Sequence, residues 1–267
     1  MGLTTGWEPA TSIDDTLLRR FVYAFASRLE AMADARGGRR QRTDAAAFAD
    51  PGSAFVFDNA VTLLQPPIGD AIDEVVDSGS RFFPDERTWV LVSPWPTPDL
   101  SGHGLELVGH PPFMARLGPP PRAPAPPPAL RVHEVTAASN LEDFDRVLVE
   151  GYPMPPAGAI VDPRLLGGQV RLWTGYEEQP GGGARPVAVS GANVAHGVVE
   201  VEWVAVLPEA RGRGYGRAIT EVAASCAPGL PAVLLASDDG RPVYERMGFV
   251  ALQRFTLWWR PAPTLSP

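Results

Sequence analysis

The stretch "EARGRGYGRAIT", Glu209 to Thr220, sets Gly212, Gly214 and Gly216 among arginines and runs directly into residues that favour a helix. Without Cβ atoms these glycines reach positive φ and let the main chain approach a bulky ligand closely. The continuation "GRAITEVAASCAPG" puts Ala218, Ile219, Val222, Ala223 and Cys226 on one helical face and meets Pro228-Gly229, which predicts that the loop opens a helix. Unpaired amides at a helix start, with about half a positive charge from the dipole, make an anion site. Arg211, Arg213 and Arg217 add full charges, so phosphate is the natural guest; a Gly-Arg turn holding nothing is the plainer alternative. A Walker loop is excluded, because it needs a lysine and the chain has none. The dinucleotide fingerprint G-x-G-x-x-G fails as well, because Arg217 stands three residues after Gly214. The spacing that fits is R-x-x-G-x-G, Arg211 to Gly216, at the end of the strand-like "VEVEWVAVLPEA".

Composition narrows the partners. A chain of 267 residues, 45% hydrophobic and 20% charged, can bury a real core, and its net charge of -8 argues against nucleic acid. No apolar run reaches the ~20 residues of a membrane helix. The opening "MGLTTGWEPATSIDD" lacks the order of a signal peptide, so a cytoplasmic protein without a membrane partner is expected. The lone Cys226 has no internal disulfide partner, and His103, His110, His133 and His196 show no metal spacing.

The proline cluster "GPPPRAPAPPPA" predicts a stiff linker over 118–129, between an N-terminal domain over 1–117 and a second domain over 130–267. Upstream, Leu17, Phe21, Val22 and Phe25 predict an amphipathic helix with Ser12 as its cap and a glycine stop. Downstream, "LRVHEV", "QVRLWTGYE", "RPVAVSGANV" and "VVEVEWVAV" read as strands and "NLEDFDRVLVEGY" as a helix. The halves also echo one another: "IGDAIDEVV" lies over "YGRAITEVA", "TWVLVS" over "AVLLAS", and "GLELVGHPPFMAR" over "VYERMGFVALQR". Only "QPP" stands where the second half has "PEARGRG", so the first copy lacks the glycine loop.

With "VAVLPEARGRGYGRAI" and "LLASDDGRPVYERMGF" in view, the chain from roughly Leu130 to Arg260 resembles the GCN5-related N-acetyltransferase (GNAT) family. The resemblance implies an α/β (α+β) fold, a mixed and mostly antiparallel central sheet flanked by helices, with a smaller degenerate copy in the N-terminal half. It implies acetyl-CoA as co-substrate and no metal. Its pyrophosphate would lie on Arg211, Gly212, Arg213, Gly214, Tyr215, Gly216 and Arg217, and its pantetheine arm on the main chain of Val206. Val204 marks the amide expected to steady the oxyanion; Ser237 stands where many relatives carry an asparagine that touches the arm, and keeps a weak contact. Tyr244 occupies the place of the acid facing the sulfur, in a helix that Asp238 or Asp239 could cap and Gly248 could end. The base is Glu200 or Glu202, which share one face of a regular strand unless a bulge parts them, or a water chain. The partner implied is an amine of a small molecule or peptide, met by the segment Glu150 to Pro163, with a homodimer left open. A CoA-binding sensor without turnover and an acyltransferase using another acyl-CoA are the alternatives.

Overall fold

The computed structural model describes residues 6–8, 10–119, 126–152 and 159–262; the centre of the proline cluster and Met154 with its neighbouring prolines fall outside these. In chain order the elements are α1 (Leu17–Arg36), β1 (Arg39–Arg42), β2 (Ala46–Asp50), β3 (Ala60–Leu63), α2 (Ala71–Phe82), β4 (Trp89–Ser93), β5 (Glu106–Gly109) and β6 (Pro112–Arg116). There follow β7 (Leu130–Glu134), α3 (Leu141–Gly151), β8 (Val170–Glu178), β9 (Ala184–Ala195), β10 (Val198–Val206) and α4 (Tyr215–Ala224). The chain closes with β11 (Ala232–Leu235), α5 (Arg241–Arg246), β12 (Val250–Arg254) and β13 (Thr256–Arg260).

The elements form two compact units, one of residues 1–112 with 253–267 and the other of 113–252. The first holds the sheet β1-β2-β3-β4-β13-β5, the second β12-β6-β11-β10-β9-β8-β7. These units depart from the expected division into 1–117 and 130–267, because β13 inserts beside β4 while β6 pairs with β11. Alternation in a sequence shows that a strand exists and which face it buries, but it does not name the partner. The "LWW" stretch, Leu257 to Trp259, therefore packs in the first unit's sheet, where Trp258 joins Phe48, Leu63, Trp89 and Leu91 in the core.

In the first unit α1 starts at Thr16, whose hydroxyl accepts from the Arg19 amide at 3.1 Å, and not at the expected Ser12. It stops at Gly37, whose φ of 69° is left-handed. The internal repeat is real in topology. In each unit a crossover helix joins two parallel neighbours, α2 between β3 and β4 and α4 between β10 and β11. Its third segment shifts, however: α5 precedes β12, whereas "GLELVGHPPFMAR" contains β5 and β6 and no helix.

In the second unit α3 buries Leu141, Phe144, Val147 and Leu148, the three-four spacing of one helical face. Burying such side chains gains ~1.5–3 kcal/mol each, enough to hold a short helix on the sheet. Strands β10 and β11 pair only at Val199–Ala232 and Glu200–Val233, yet β10 runs on to Val206 and β11 to Leu235. The sheet therefore opens beyond Glu200, and the glycine loop follows at the end of the splayed β10.

Candidate active site

The loop meets its two conformational demands with glycine. Gly212 has φ 77° and Gly214, the N-cap of α4, has φ 81°. Gly216 is different: it is helical, and a Cβ there would lie 3.4 Å from Val206 Cγ2, so it serves close packing. The amides from Gly212 through Arg217 donate to no acceptor among the described residues; the first satisfied one is Ala218, bonded to the Gly214 carbonyl at 3.1 Å. Helix α4 buries Tyr215, Ile219, Thr220, Ala223 and Ala224. It ends before Pro228-Gly229, at Ser225, so Cys226 lies past the helix and not on its apolar face; burial pushes that thiol up.

The three loop arginines are not equivalent. Arg211 donates from Nε to the Val206 carbonyl at 3.2 Å and from Nη2 to the Gly151 carbonyl at 2.9 Å. Arg213 pairs with Glu177 on β8 at 2.5 Å, and the Tyr215 hydroxyl donates to the same carboxylate oxygen at 2.6 Å. The Tyr215 hydroxyl first, then the Arg213 guanidinium, hold the Glu177 carboxyl below its ordinary range. Arg217, in the first turn of α4, has no hydrogen-bond or ion-pair partner among the described residues. Glu177 was not singled out in the sequence, where it reads as one more strand glutamate.

On β10 the ladder with β9 is regular from Val198 to Glu202, then slips, so that Ala205 pairs with Val189. In this bulge Trp203 and Val204 together stand opposite the single residue Ser190, one residue too many for a regular ladder, and Trp203 has a φ of 52°. A bulky residue in the left-handed region costs about 1–3 kcal/mol, strain that the surrounding packing has to hold. The packing is visible at Gly191, where a Cβ would come within 2.6 Å of Trp203 Cε3. A glycine inside a strand pattern is the sequence signal for such a close approach.

The bulge follows both glutamates, so it does not turn them to opposite faces. Their surroundings separate them instead. Glu200 is fully buried and accepts from Asn193 Nδ2 at 2.9 Å. Glu202 is half-buried, and its charge is felt by Tyr152 and Tyr244. Tyr152 ends α3, whose last residue Gly151 would bring a Cβ within 2.8 Å of the Ala205 Cβ, so this helix end sits against the bulged strand. Burial, then the charge of Glu202, push the Tyr244 phenol up to about 12, and burial raises Tyr152 as well.

Helix α5 presents Tyr244. Gly248, with φ 87°, follows its end as expected, but neither Asp238 nor Asp239 caps its start. The N-cap of α5 is Gly240, with no side-chain cap, and the Ser237 hydroxyl accepts the Gly240 amide at 3.0 Å in the turn before the helix. A Cβ on Gly240 would lie 3.1 Å from Ser237 Oγ and 3.2 Å from Tyr244 Cε2, so Ser237 and Tyr244 border one narrow space. The Tyr244 hydroxyl has no hydrogen-bond partner among the described residues. No group of three or more His, Cys, Asp or Glu side chains among the described residues could hold a metal.

With a bulged strand splaying from its parallel neighbour, a glycine loop of free amides and a tyrosine on the next helix, residues 169–251 match the family model of the acetyltransferase (GNAT) domain. This segment is thus similar to the GNAT acetyltransferase domain. Solved structures share the fold over more of the chain. A GCN5-related N-acetyltransferase from Kribbella flavida is similar at 20% identity and a TM-score of 0.64, over 92% of this chain and 97% of that one. A conserved protein of unknown function from Staphylococcus epidermidis is similar at 14% identity and a TM-score of 0.62, over 85% and 96%. A GCN5-related N-acetyltransferase from Sphaerobacter thermophilus is similar at 18% and 0.54, over 77% and 74%. No curated protein matches the sequence. The fold is thus shared with these solved structures, and no helix among the described residues is long and apolar enough to cross a membrane.

Proposed function

We propose that this protein is an acetyl-CoA-dependent N-acetyltransferase that passes the acetyl group directly to a primary amine of a small molecule or peptide. The observation that carries the reading is the run of amides from Gly212 to Arg217 without acceptors at the start of α4. A diphosphate placed there gains several charge-assisted hydrogen bonds, with Arg217 free to add its charge. Val206 supports the pantetheine arm with its main chain, because the splayed part of β10 offers an edge that an extended arm can join as a further strand.

The residues around the splay divide the chemistry. Glu202 takes the proton that the attacking ammonium must lose, while Glu200, tied to Asn193, has a structural part. The amide of Val204, within the bulge, faces the developing oxyanion. As the carbon–sulfur bond breaks, Tyr244 gives its phenolic proton to the thiolate, and its raised pKa keeps that proton in place until charge develops on sulfur. Ser237 retains a hydroxyl proton to donate to the arm.

The test is calorimetric titration of the protein with acetyl-CoA, followed by thiol release across a panel of amines. One site per chain with amine-dependent release supports the proposal. Binding without release of thiol for any amine would favour a CoA sensor, and absence of binding would remove the assignment of the loop.

A further inference from the structure

A buried arginine of the second unit stands outside the segment that matches the family model. Arg116 ends β6, before the proline cluster, and its two terminal nitrogens find four acceptors. Nη1 donates to Glu221 Oε2 on α4 at 2.7 Å and to the Met247 carbonyl at 3.3 Å. Nη2 donates to Glu221 Oε1 at 2.9 Å and to Ser225 Oγ at 3.4 Å. The guanidinium carbon also stands 5.1 Å from the centroid of the Phe249 ring.

Two of these contacts lead to Tyr244. Met247 is the C-cap of α5, and its amide donates to the Tyr244 carbonyl at 2.9 Å, so a hold on the Met247 carbonyl fixes the turn that carries Tyr244. The Phe249 amide donates to that same carbonyl at 3.0 Å, and the Phe249 ring meets the Tyr244 ring edge-on with centroids 6.0 Å apart. Arg116 thus grips the end of α5 through the main chain and through a ring. The helix needs such a grip, because it has only 6 residues and no side-chain cap, too short to be stable by its own hydrogen bonds. Glu221 supplies the fixed point, on a helix that buries Ile219, Thr220 and Ala223. A lysine at this position would keep the charge opposite Glu221 but not the planar fork that also reaches Met247.

We propose that Arg116 is a positioning residue for acyl transfer, setting the Tyr244 hydroxyl against the leaving thiolate by anchoring the end of α5 to α4, a role that rests on Tyr244 being the acid. Part of the working site then comes from a strand before the proline cluster, outside the matched residues 169–251.

The test compares, in the full chain, Arg116→Lys with the pair Arg116→Met/Glu221→Met, which removes both charges so that neither is left without its partner. A thermal melt checks that each variant is folded. Turnover at saturating acetyl-CoA is expected to fall about tenfold in both, less than the roughly hundredfold that an ångström of misplacement can cost, while acetyl-CoA affinity stays within about twofold. In the Tyr244→Phe background neither change should lower turnover further. The chain has 5 tyrosines, so labelling with 3-fluorotyrosine gives one fluorine resonance for each, and Tyr244→Phe identifies that of Tyr244. This resonance is expected to shift or broaden in both Arg116 variants, while that of Tyr176 stays. An unmoved Tyr244 resonance would overturn the proposal, as would a loss of turnover that multiplies with that of Tyr244→Phe, or an equal loss of acetyl-CoA affinity. Full turnover in Tyr244→Phe alone would overturn the acid reading and this proposal with it; a moved resonance would then show that Arg116 holds the ring without serving turnover.

Discussion

Arg211 donates to the carbonyl of Gly151 at 2.9 Å and so ties the glycine loop to the last turn of α3. The same guanidinium reaches the Val206 carbonyl, a two-point contact that a lysine ammonium cannot reproduce with a planar fork. Arg211→Lys is expected to increase amide exchange at the α3 end, Leu148 to Tyr152, while acetyl-CoA affinity falls by only about threefold because the charge remains. Arg211→Gln should show the same exchange and a larger affinity loss. Exchange mass spectrometry with calorimetry reads both, and unchanged exchange in the lysine variant would show that the bridge does not hold the helix end.

Arg213 and Arg217 have identical chemistry but different surroundings, the first in the loop before α4 and the second in its first turn. Arg213 is held by Glu177, and Arg217 has no partner among the described residues. Arg217→Gln is therefore predicted to weaken acetyl-CoA binding by about tenfold, the scale of one charge-assisted hydrogen bond, and Arg213→Gln by clearly less. The reverse order in calorimetry would mean that Arg213 leaves Glu177 when the diphosphate arrives.

Tyr244 carries two expectations. Tyr244→Phe should lower turnover about a hundredfold or more and leave acetyl-CoA affinity within about twofold, the pattern of a lost acid acting only in the transition state. Its pKa, raised from 10.0 to about 12, sets the pH behaviour. The protonated phenol is the working form, so this residue produces no fall in turnover near pH 10. Stability runs by the same linkage: as pH rises from about 10 toward 12, the unfolded chain releases this proton while the folded one keeps it, so stability decreases across that window. Tyr152 and Tyr176 shift in the same direction and steepen the loss. Denaturant midpoints measured at pH 9 and pH 11 should differ less in Tyr244→Phe than in the parent.

Much of this was legible in the residues. The glycine loop, the strands from Leu130 to Val206 and α3 follow from periodicity and glycine spacing, which act locally. What stayed hidden depends on partners remote in sequence. The insertion of β13 beside β4 is a matter of pairing, and pairing is not encoded in alternation. The division between Glu200 and Glu202 rests on Asn193, a neighbour across β9, and the occupation of Arg213 rests on Glu177. Ser237 looked like a weakened asparagine; its bond to the Gly240 amide shows that it also shapes the turn before α5.

Gly191 gives the sharpest test of the bulge. It pairs with Glu202 across the ladder, and an alanine Cβ there would meet Trp203 Cε3 at 2.6 Å and Leu172 Cδ2 at 3.2 Å. Trp203 cannot yield easily, because it is 2% exposed and stands edge-on to Phe144 with centroids 6.5 Å apart. Gly191→Ala must therefore rotate the indole or flatten the bulge, at a cost of about 1–3 kcal/mol that appears as a lower melting temperature. Flattening also turns the Val204 amide, so turnover should fall more than acetyl-CoA affinity, which rests on the loop. Trp203→Leu removes the atoms that clash, and the Gly191→Ala cost measured in that background should shrink by at least about 0.5 kcal/mol. An additive double variant would show that the glycine is required for some reason other than the tryptophan, and the strain at Trp203 would then need a different support.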